Sequence, residues 1–340
     1  MYSLATTLPF TVCLVWTAIL LLQFRAADRA HRALAVFAVV TTLLYFCHFL
    51  HFSNLGSSFS ESLYFLCNLS VYPLFAFYVE CLTGKDAPKP KFLLWFVPAF
   101  AVFAYSFFGD AGVVSQVLFP LVVIASSVIA GRDLFRFRIS VNNYYSNPEG
   151  KRLDPLFVLL IVLLITAMSS FAVNIMGREH FMGEDELLIP ALFFSALLFT
   201  IFFFGNKTEL PLEDVRVEDS VPAGPDDDSF QASLMEKIRV QMQDQQLFRS
   251  KGLTVTDLAE AVGSNRSYVS ACINQQAKQS FSDFINSWRI RYARLLMEEK
   301  PPLPLSEVAE RAGFSDRVSF YRSFKKITGM SPSEWLRAKS

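Results

Sequence analysis

Apolar positions dominate the first 205 residues and then change character. Seven nearly unbroken apolar runs occur at about 6–24, 33–52, 60–82, 92–108, 112–130, 155–177 and 187–205. A helix needs about 20 such residues to cross a hydrocarbon layer of ~30 Å. The pattern therefore predicts seven membrane-spanning helices. The fourth and fifth are the shortest and are parted only by Gly109, Asp110 and Ala111. After residue 230 the apolar positions follow the helical period instead. Phe230, Leu234, Ile238 and Met242 predict one amphipathic helix, and Phe284, Trp288, Tyr292 and Leu295 predict a longer one over 281–299.

A repeat lies in this second region. Asp257–Gly263 reads DLAEAVG and Glu307–Gly313 reads EVAERAG, fifty residues later. In each, a small Ala suits two helices crossing closely, and a Gly suits a turn that needs positive φ. A second helix follows each repeat. The first is expected to start at Ser264/Asn265 and bury Val269, Cys272 and Ile273. The second is expected to start at Ser315 and bury Phe320, Phe324 and Ile327. Thr254 with Asp257, Ser280 with Asp283, and Ser331-Pro332-Ser333-Glu334 have the form of helix starts. The connecting helix, at 1.5 Å per residue, would be roughly 28 Å long. Successive major-groove faces recur every ~34 Å, so such a helix could set two reading helices into adjacent grooves. Arg289, Arg291 and Arg294 fall off its apolar stripe and are candidates for phosphate contacts.

Charge divides the chain into three parts. Residues 1–205 carry 12 Lys/Arg and 12 Asp/Glu; residues 206–229 carry 2 and 8; residues 230–340 carry 17 and 11. The middle part, with three prolines, reads as an acidic flexible linker with a root-mean-square span on the order of 27 Å. The last part suits a polyanionic partner. Within the apolar part, alternate loops carry Arg25, Arg29, Arg32; Lys85, Lys89, Lys91; and Arg132, Arg136, Arg138, Lys151, Arg152. The other loops hold only Arg178. This asymmetry predicts an N-terminus outside and a C-terminal domain in the cytoplasm of a multi-pass inner-membrane protein. No Lys or Arg precedes the first run, so it reads as an uncleaved anchor rather than a signal peptide.

Chemistry is sparse. Cys13, Cys47, Cys67, Cys81 and Cys272 form no C-x-x-C pair and read as small buried hydrophobes. HFLH, residues 48–51, is not H-E-x-x-H, and no phosphate-binding Gly-rich loop occurs. No catalytic residue, metal or cofactor is expected. His48, His51, Glu61 and His180 would lie near the outer face and are candidates for sensing a ligand or protons. The alternative for these residues is ordinary interfacial hydrogen bonding.

The segment EVAERAGFSDRVSFYRSFKKITGMSPSEWLR, with the repeat fifty residues before it, carries a family resemblance. Residues 230–340 resemble the DNA-binding domain of AraC-type bacterial transcription regulators. The resemblance implies seven helices, two helix-turn-helix units and a joining helix. Lys278 stands where the family commonly has Gly, and Ala271 where Arg is frequent. By motif position, Arg266, Ser267, Ser270 and Asn274 would face one groove, and Arg317, Val318, Ser319 and Arg322 the next. Lys325 and Lys326 would meet phosphates. The arrangement resembles the membrane-anchored members of the family.

The expected fold class is all-α: a seven-span bundle (1–205), the linker (206–229) and a double helix-turn-helix domain (230–340). The expected function is a one-component regulator binding promoter DNA under control of a signal sensed in the membrane. Its implied partners are double-stranded DNA, the lipid bilayer, RNA polymerase, a second copy of the chain as a homodimer, and an unknown small-molecule or envelope signal. The alternatives are a transporter or membrane enzyme with an attached regulatory DNA-binding domain, and release of that domain by proteolysis.

Overall fold

The structure is a computed structural model describing residues 2–53, 55–84, 90–149, 151, 153–176, 188–207, 228–299 and 303–339. Among these residues every regular element is helical. The chain folds as two compact units. One comprises Met1–Arg136 and Leu153–Arg216, the other Phe137–Arg152 and Val217–Ser340. The loop after the fifth apolar helix thus departs from the expected contiguous partition. It belongs to the C-terminal unit.

The first unit contains α1 (Tyr2–Gln23), α2 (Arg29–Phe52), α3 (Ser58–Thr83), α4 (Val97–Tyr105), most of α5 (Ala111–Tyr144), α6 (Asp154–Met176) and α7 (Leu188–Lys207). All seven apolar runs are therefore helical, but unequally long. Arg29–His51, Ser58–Thr83 and Ala111–Tyr144 are long and apolar enough to cross a membrane. Thr7–Gln23, Phe92–Tyr105, Asp154–Ile165 and Ala191–Asn206 are shorter apolar stretches among the described residues. The fourth run is interrupted, because Pro90–Phe96 winds as a 3-10 helix before α4.

The core of this unit is aromatic and closely packed. Phe37 on α2 meets Phe75 on α3 and Phe202 on α7, with ring centroids 5.9 and 5.7 Å apart. Several buried hydroxyls are satisfied locally, although the Tyr78 and Ser126 hydroxyls have no hydrogen-bond partner among the described residues. Thr41, Thr83 and Ser195 each donate to the carbonyl four residues back, and Thr17 and Thr42 share a buried hydrogen bond of 2.8 Å between α1 and α2. The outer faces are also apolar. Leu22, Val113, Val128 and Val158 are each at least 60% exposed. Apolar faces of this extent are the kind found at protein–protein or membrane contacts.

Helix α5 runs fourteen residues past its expected end at 130. Leu134, Phe137, Val141 and Tyr144 are buried at helical spacing, which explains the extension. Arg132, Arg136 and Arg138, counted above as loop residues, are thus helical.

The second unit contains α8 (Asp228–Gln243), α9 (Val255–Val262), α10 (Arg266–Cys272), α11 (Phe281–Glu298), α12 (Leu305–Arg311), α13 (Arg317–Thr328) and α14 (Pro332–Lys339). Local chemistry sets most of the boundaries. Thr254 and Asp257 form a reciprocal capping box on α9. Asn265, Ser280 and Asp316 each accept a backbone N–H at the start of α10, α11 and α13. Gly263 and Gly313 take φ of +66° and +88° in the turns after α9 and α12. Ser331 and Glu334 exchange hydrogen bonds at the start of α14, holding the Glu334 carboxyl below its ordinary pKa.

Three packing expectations need correction. Ile327 is 45% exposed, whereas Phe320 and Phe324 are fully buried. The buried face of α11 runs through Phe281, Ile285, Arg289, Ile290, Ala293 and Leu296; Leu295 is exposed and Trp288 half-buried. On α8, Leu234, Ile238 and Met242 are buried as expected, but Phe230 sits at the edge against the Tyr268 ring.

The two turn glycines separate two physical effects. A Cβ at Gly263 would meet no atom within 4 Å, whereas one at Gly313 would lie 2.6 Å from the Arg249 carbonyl oxygen. Gly263→Ala should therefore cost about 1 kcal/mol from its positive φ alone, and Gly313→Ala about 3 kcal/mol or more. Hydrogen-exchange protection of the α11 amides in each full-length variant measures the difference.

Candidate nucleic-acid interface

Helices α9 and α10 form one pair about a left-handed Gly, and α12 and α13 form a second. In the first pair Val269, Cys272 and Ile273 are buried, which turns Arg266, Ser267 and Ser270 toward the partly open face. The end of α10 widens into a π-turn over Ile273–Ala277, in which Asn274 is exposed. Lys278 closes that turn with φ +53°. The left-handed backbone is why Gly would suit this position, and Lys occupies it without changing the path of the chain.

In the second pair, Phe320 and Phe324 anchor α13 inward against Phe314 and Trp335. Arg317, Val318, Arg322, Lys325 and Lys326 are exposed on its other side. Ser319 is corrected: it is buried, its amide is capped by Asp316 Oδ1, and its hydroxyl donates to the Asp316 carbonyl. It faces the helix start, not a groove. A hydrogen bond with Ser333, joined by one that Arg317 donates to the Tyr321 hydroxyl at 3.1 Å, lowers the Tyr321 pKa.

The cations on α13 are held by weak surface partners. Lys326 Nζ lies 2.6 Å from Asp283 Oδ1, and Arg322 Nη1 lies 3.5 Å from Glu149 Oε1. Exposed pairs of this kind are worth about 0–1 kcal/mol, so a phosphate or a base edge can displace them. On α11, Arg291 and Arg294 are exposed and stack over Trp288 and Trp335.

Arg289 does not fit the expected phosphate-contact role, because it is fully buried. Nε donates to the Phe248 carbonyl at 2.7 Å, and Nη2 to the Ser250 carbonyl at 2.9 Å and Ser146 Oγ at 3.2 Å. Nη1 donates to Asn147 Oδ1 at 3.0 Å and to Asn286 Oδ1 at 3.5 Å. All five of these oxygens are uncharged. Burial lowers the guanidinium pKa to about 10, still leaving it charged at neutral pH.

Sequence reasoning missed the contribution of residues 144–149. The Ser146 amide donates to the Leu253 carbonyl at 3.0 Å, and its carbonyl accepts from Ser282 and Asn286. Asn147 Nδ2 donates to Ser315 Oγ at 2.6 Å, just ahead of α13. The only hint in the sequence is a polar run, YYSNPE, between two apolar helices.

Of the proposed sensing residues, three lie on α2 and α3 among the described residues. His48 packs edge-on against the Tyr64 ring at 4.9 Å, His51 is exposed at the end of α2, and Glu61 is exposed in the first turn of α3. His180 lies outside the described residues. Among the described residues no group of three or more His, Cys, Asp or Glu could hold a metal ion.

The second unit places one helical pair on each side of α11 in the chain, and most of it matches a known domain model. A helix-turn-helix domain model matches residues 258–338, and the domain is of the AraC type. The chain is 31% identical over 85 residues to the Msm operon regulatory protein of Streptococcus mutans, covering 25% of this chain and 30% of that protein. It is 31% identical over 87 residues to the melibiose operon regulatory protein of Escherichia coli K12, covering 26% and 28% respectively. A transcriptional regulatory protein of Bacillus subtilis is 32% identical over 74 residues, covering 22% and 20%. The chain thus spans less than a third of the length of these curated relatives, all of which are regulators rather than enzymes. No solved structure matches the chain.

Replacing Arg289 should be far costlier than replacing Arg291. Arg289→Ala leaves the Phe248 and Ser250 carbonyls unpaired beside a cavity, a loss of about 3 kcal/mol or more. Arg289→Lys should recover little, because an ammonium cannot reproduce the planar five-donor fork. Thermal unfolding of the full-length variants, followed by hydrogen exchange in α11, checks both.

Proposed function

We propose that this chain is a membrane-embedded one-component transcriptional regulator. Seven helices of the first unit lie in the bilayer with the N-terminus outside, and the second unit reads promoter DNA in the cytoplasm. The observation that carries the reading is the pairing, in one chain, of apolar outward-facing helices with an AraC-type helix-turn-helix domain. Immersed in water, side chains such as Leu22, Val128 and Val158 would leave a large apolar surface exposed. In lipid the same faces carry no such penalty.

The second unit acts as two helix-turn-helix units joined by α11. Helices α10 and α13 are the reading helices. Arg266, Ser267, Ser270 and Asn274 face one groove, and Arg317, Val318 and Arg322 the next. Arg322 is the leading base reader, since a guanidinium pairs with guanine O6 and N7. Lys325 and Lys326 meet phosphates and set affinity rather than preference. A signal at the membrane shifts the helix packing or self-association of the first unit, and so the geometry or effective concentration of the reading heads. Once DNA is bound, the domain contacts RNA polymerase or excludes it.

The test is to crosslink cells, isolate their membranes, recover the full-length protein and sequence the attached DNA. A few discrete promoters support the reading. Discrete sites only in the soluble fraction would indicate a cleaved domain, and no sites in either fraction would favour a transporter or membrane enzyme. On a recovered promoter, Arg322→Ala should cost ~1–3 kcal/mol and relax preference at one base pair. Lys325→Ala should weaken all sequences alike and reduce the salt slope by about one. Fluorescence anisotropy across a salt series separates the two behaviours.

A further inference from the structure

The segment following α5 contacts both helical pairs. Tyr144 accepts a hydrogen bond from Thr256 at 3.4 Å, and its ring lies 6.0 Å from the Arg266 guanidinium in the first pair. Ser146 is fully buried and bonded through its amide, carbonyl and hydroxyl. Asn147 crosses to Ser315 at the entry to α13, and Glu149 reaches Arg322, about two turns farther along. The segment therefore starts at one proposed reading arginine and ends at the other.

We propose that residues 144–149 form an autoinhibitory strap that competes with DNA for the reading helices. The proposal rests on the DNA-reading function argued above. Its basis is chemical mimicry. The Glu149 carboxylate offers Arg322 an acceptor oxygen, anionic like that of a phosphate and placed as the neutral O6 and N7 acceptors of guanine would be. Asn147 and Ser315 hold that carboxylate beside the N-terminal part of α13, the part of a recognition helix that approaches base edges. The buried end of the strap, at Ser146 and Arg289, is structural and stays in place. The outer end, at Glu149, is 28% exposed and held by a weak ion pair, so it can exchange. Tethering keeps its effective concentration high, which lets a weak contact act as a real competitor.

The strap also supplies a route for the signal. It is continuous with α5, whose 34 residues form one uninterrupted helix. At 1.5 Å per residue that helix is about 51 Å long, well beyond a ~30 Å hydrocarbon layer. A shift or rotation of α5 is thereby delivered straight to Asn147 and Glu149. The acidic stretch of residues 206–229 need not transmit anything.

The test uses the full-length chain in lipid nanodiscs and a fluorescein-labelled pool of random-sequence duplexes. Glu149→Gln removes the competing charge without disturbing the buried bonds. It should tighten binding about three- to fivefold. In an Arg322→Ala background the same substitution should change affinity less than about twofold, because nothing remains for Glu149 to hold. Equal affinity of the parent chain and Glu149→Gln overturns the strap and leaves DNA reading intact. An equal gain in both backgrounds also overturns it, as that would be a general effect of removing a negative charge near DNA. Failure of every chain to bind duplex overturns the DNA-reading function, and the strap with it.

Discussion

The second unit depends on keeping one buried cation satisfied. Arg289 sits on the inward face of α11, where hydrophobic side chains would normally meet. A guanidinium there is unfavourable unless its donors are used, since an unpaired buried charge costs several kcal/mol. Its five donors meet five oxygens drawn from three places: the 248–250 turn, α11 itself and the 146–147 segment. Its plane also lies over the Phe314 ring in the turn before α13. Arg289 therefore ties together the joining helix, the 248–250 turn ahead of α9, the turn of the second helical pair and a loop that comes from between two apolar helices.

Much of the second unit was legible because its signals are local. Capping residues announce α9, α10, α11, α13 and α14 within a turn of their true starts, and two glycines mark the turns. These signals depend on backbone geometry, so distant neighbours do not alter them. The face of α11 was misread because periodicity counts every Arg as a surface residue. Arg289 is on the core side, and crediting it there rotates the stripe away from Leu295. Ser319 was misread for a related reason. Motif position put it toward DNA, but the capping demand of Asp316 draws it inward. The role of residues 144–149 was not legible at all, since its partners lie more than a hundred positions away in the chain.

In the first unit the seven apolar runs were readable as helices, while their lengths were not. The interruption over Pro90–Phe96 and the extension of α5 both arise from tertiary neighbours that composition does not reveal. The proposed sensing residues fared differently again. Side-chain type suggested that His48 and His51 act together, but one packs on an aromatic ring and the other is exposed. Helix position puts them three residues apart, and the packing gives them different surroundings.

The incorporation of Ser146 and Asn147 into the second unit has a consequence for membrane insertion. On the proposed membrane-embedded reading, a folded unit that contains both 144–149 and 228–339 has both on one side of the bilayer. Helices α6 and α7 lie between them in the chain. They must therefore cross an even number of times, both or neither, whatever the loop charges favour. A chain in which just one of them failed to insert would strand Ser146 and Asn147 across the bilayer from Arg289. Its reading unit could not close around the guanidinium. On that reading, completion of the second unit would act as a parity check, reached only by a chain in which α6 and α7 are threaded alike.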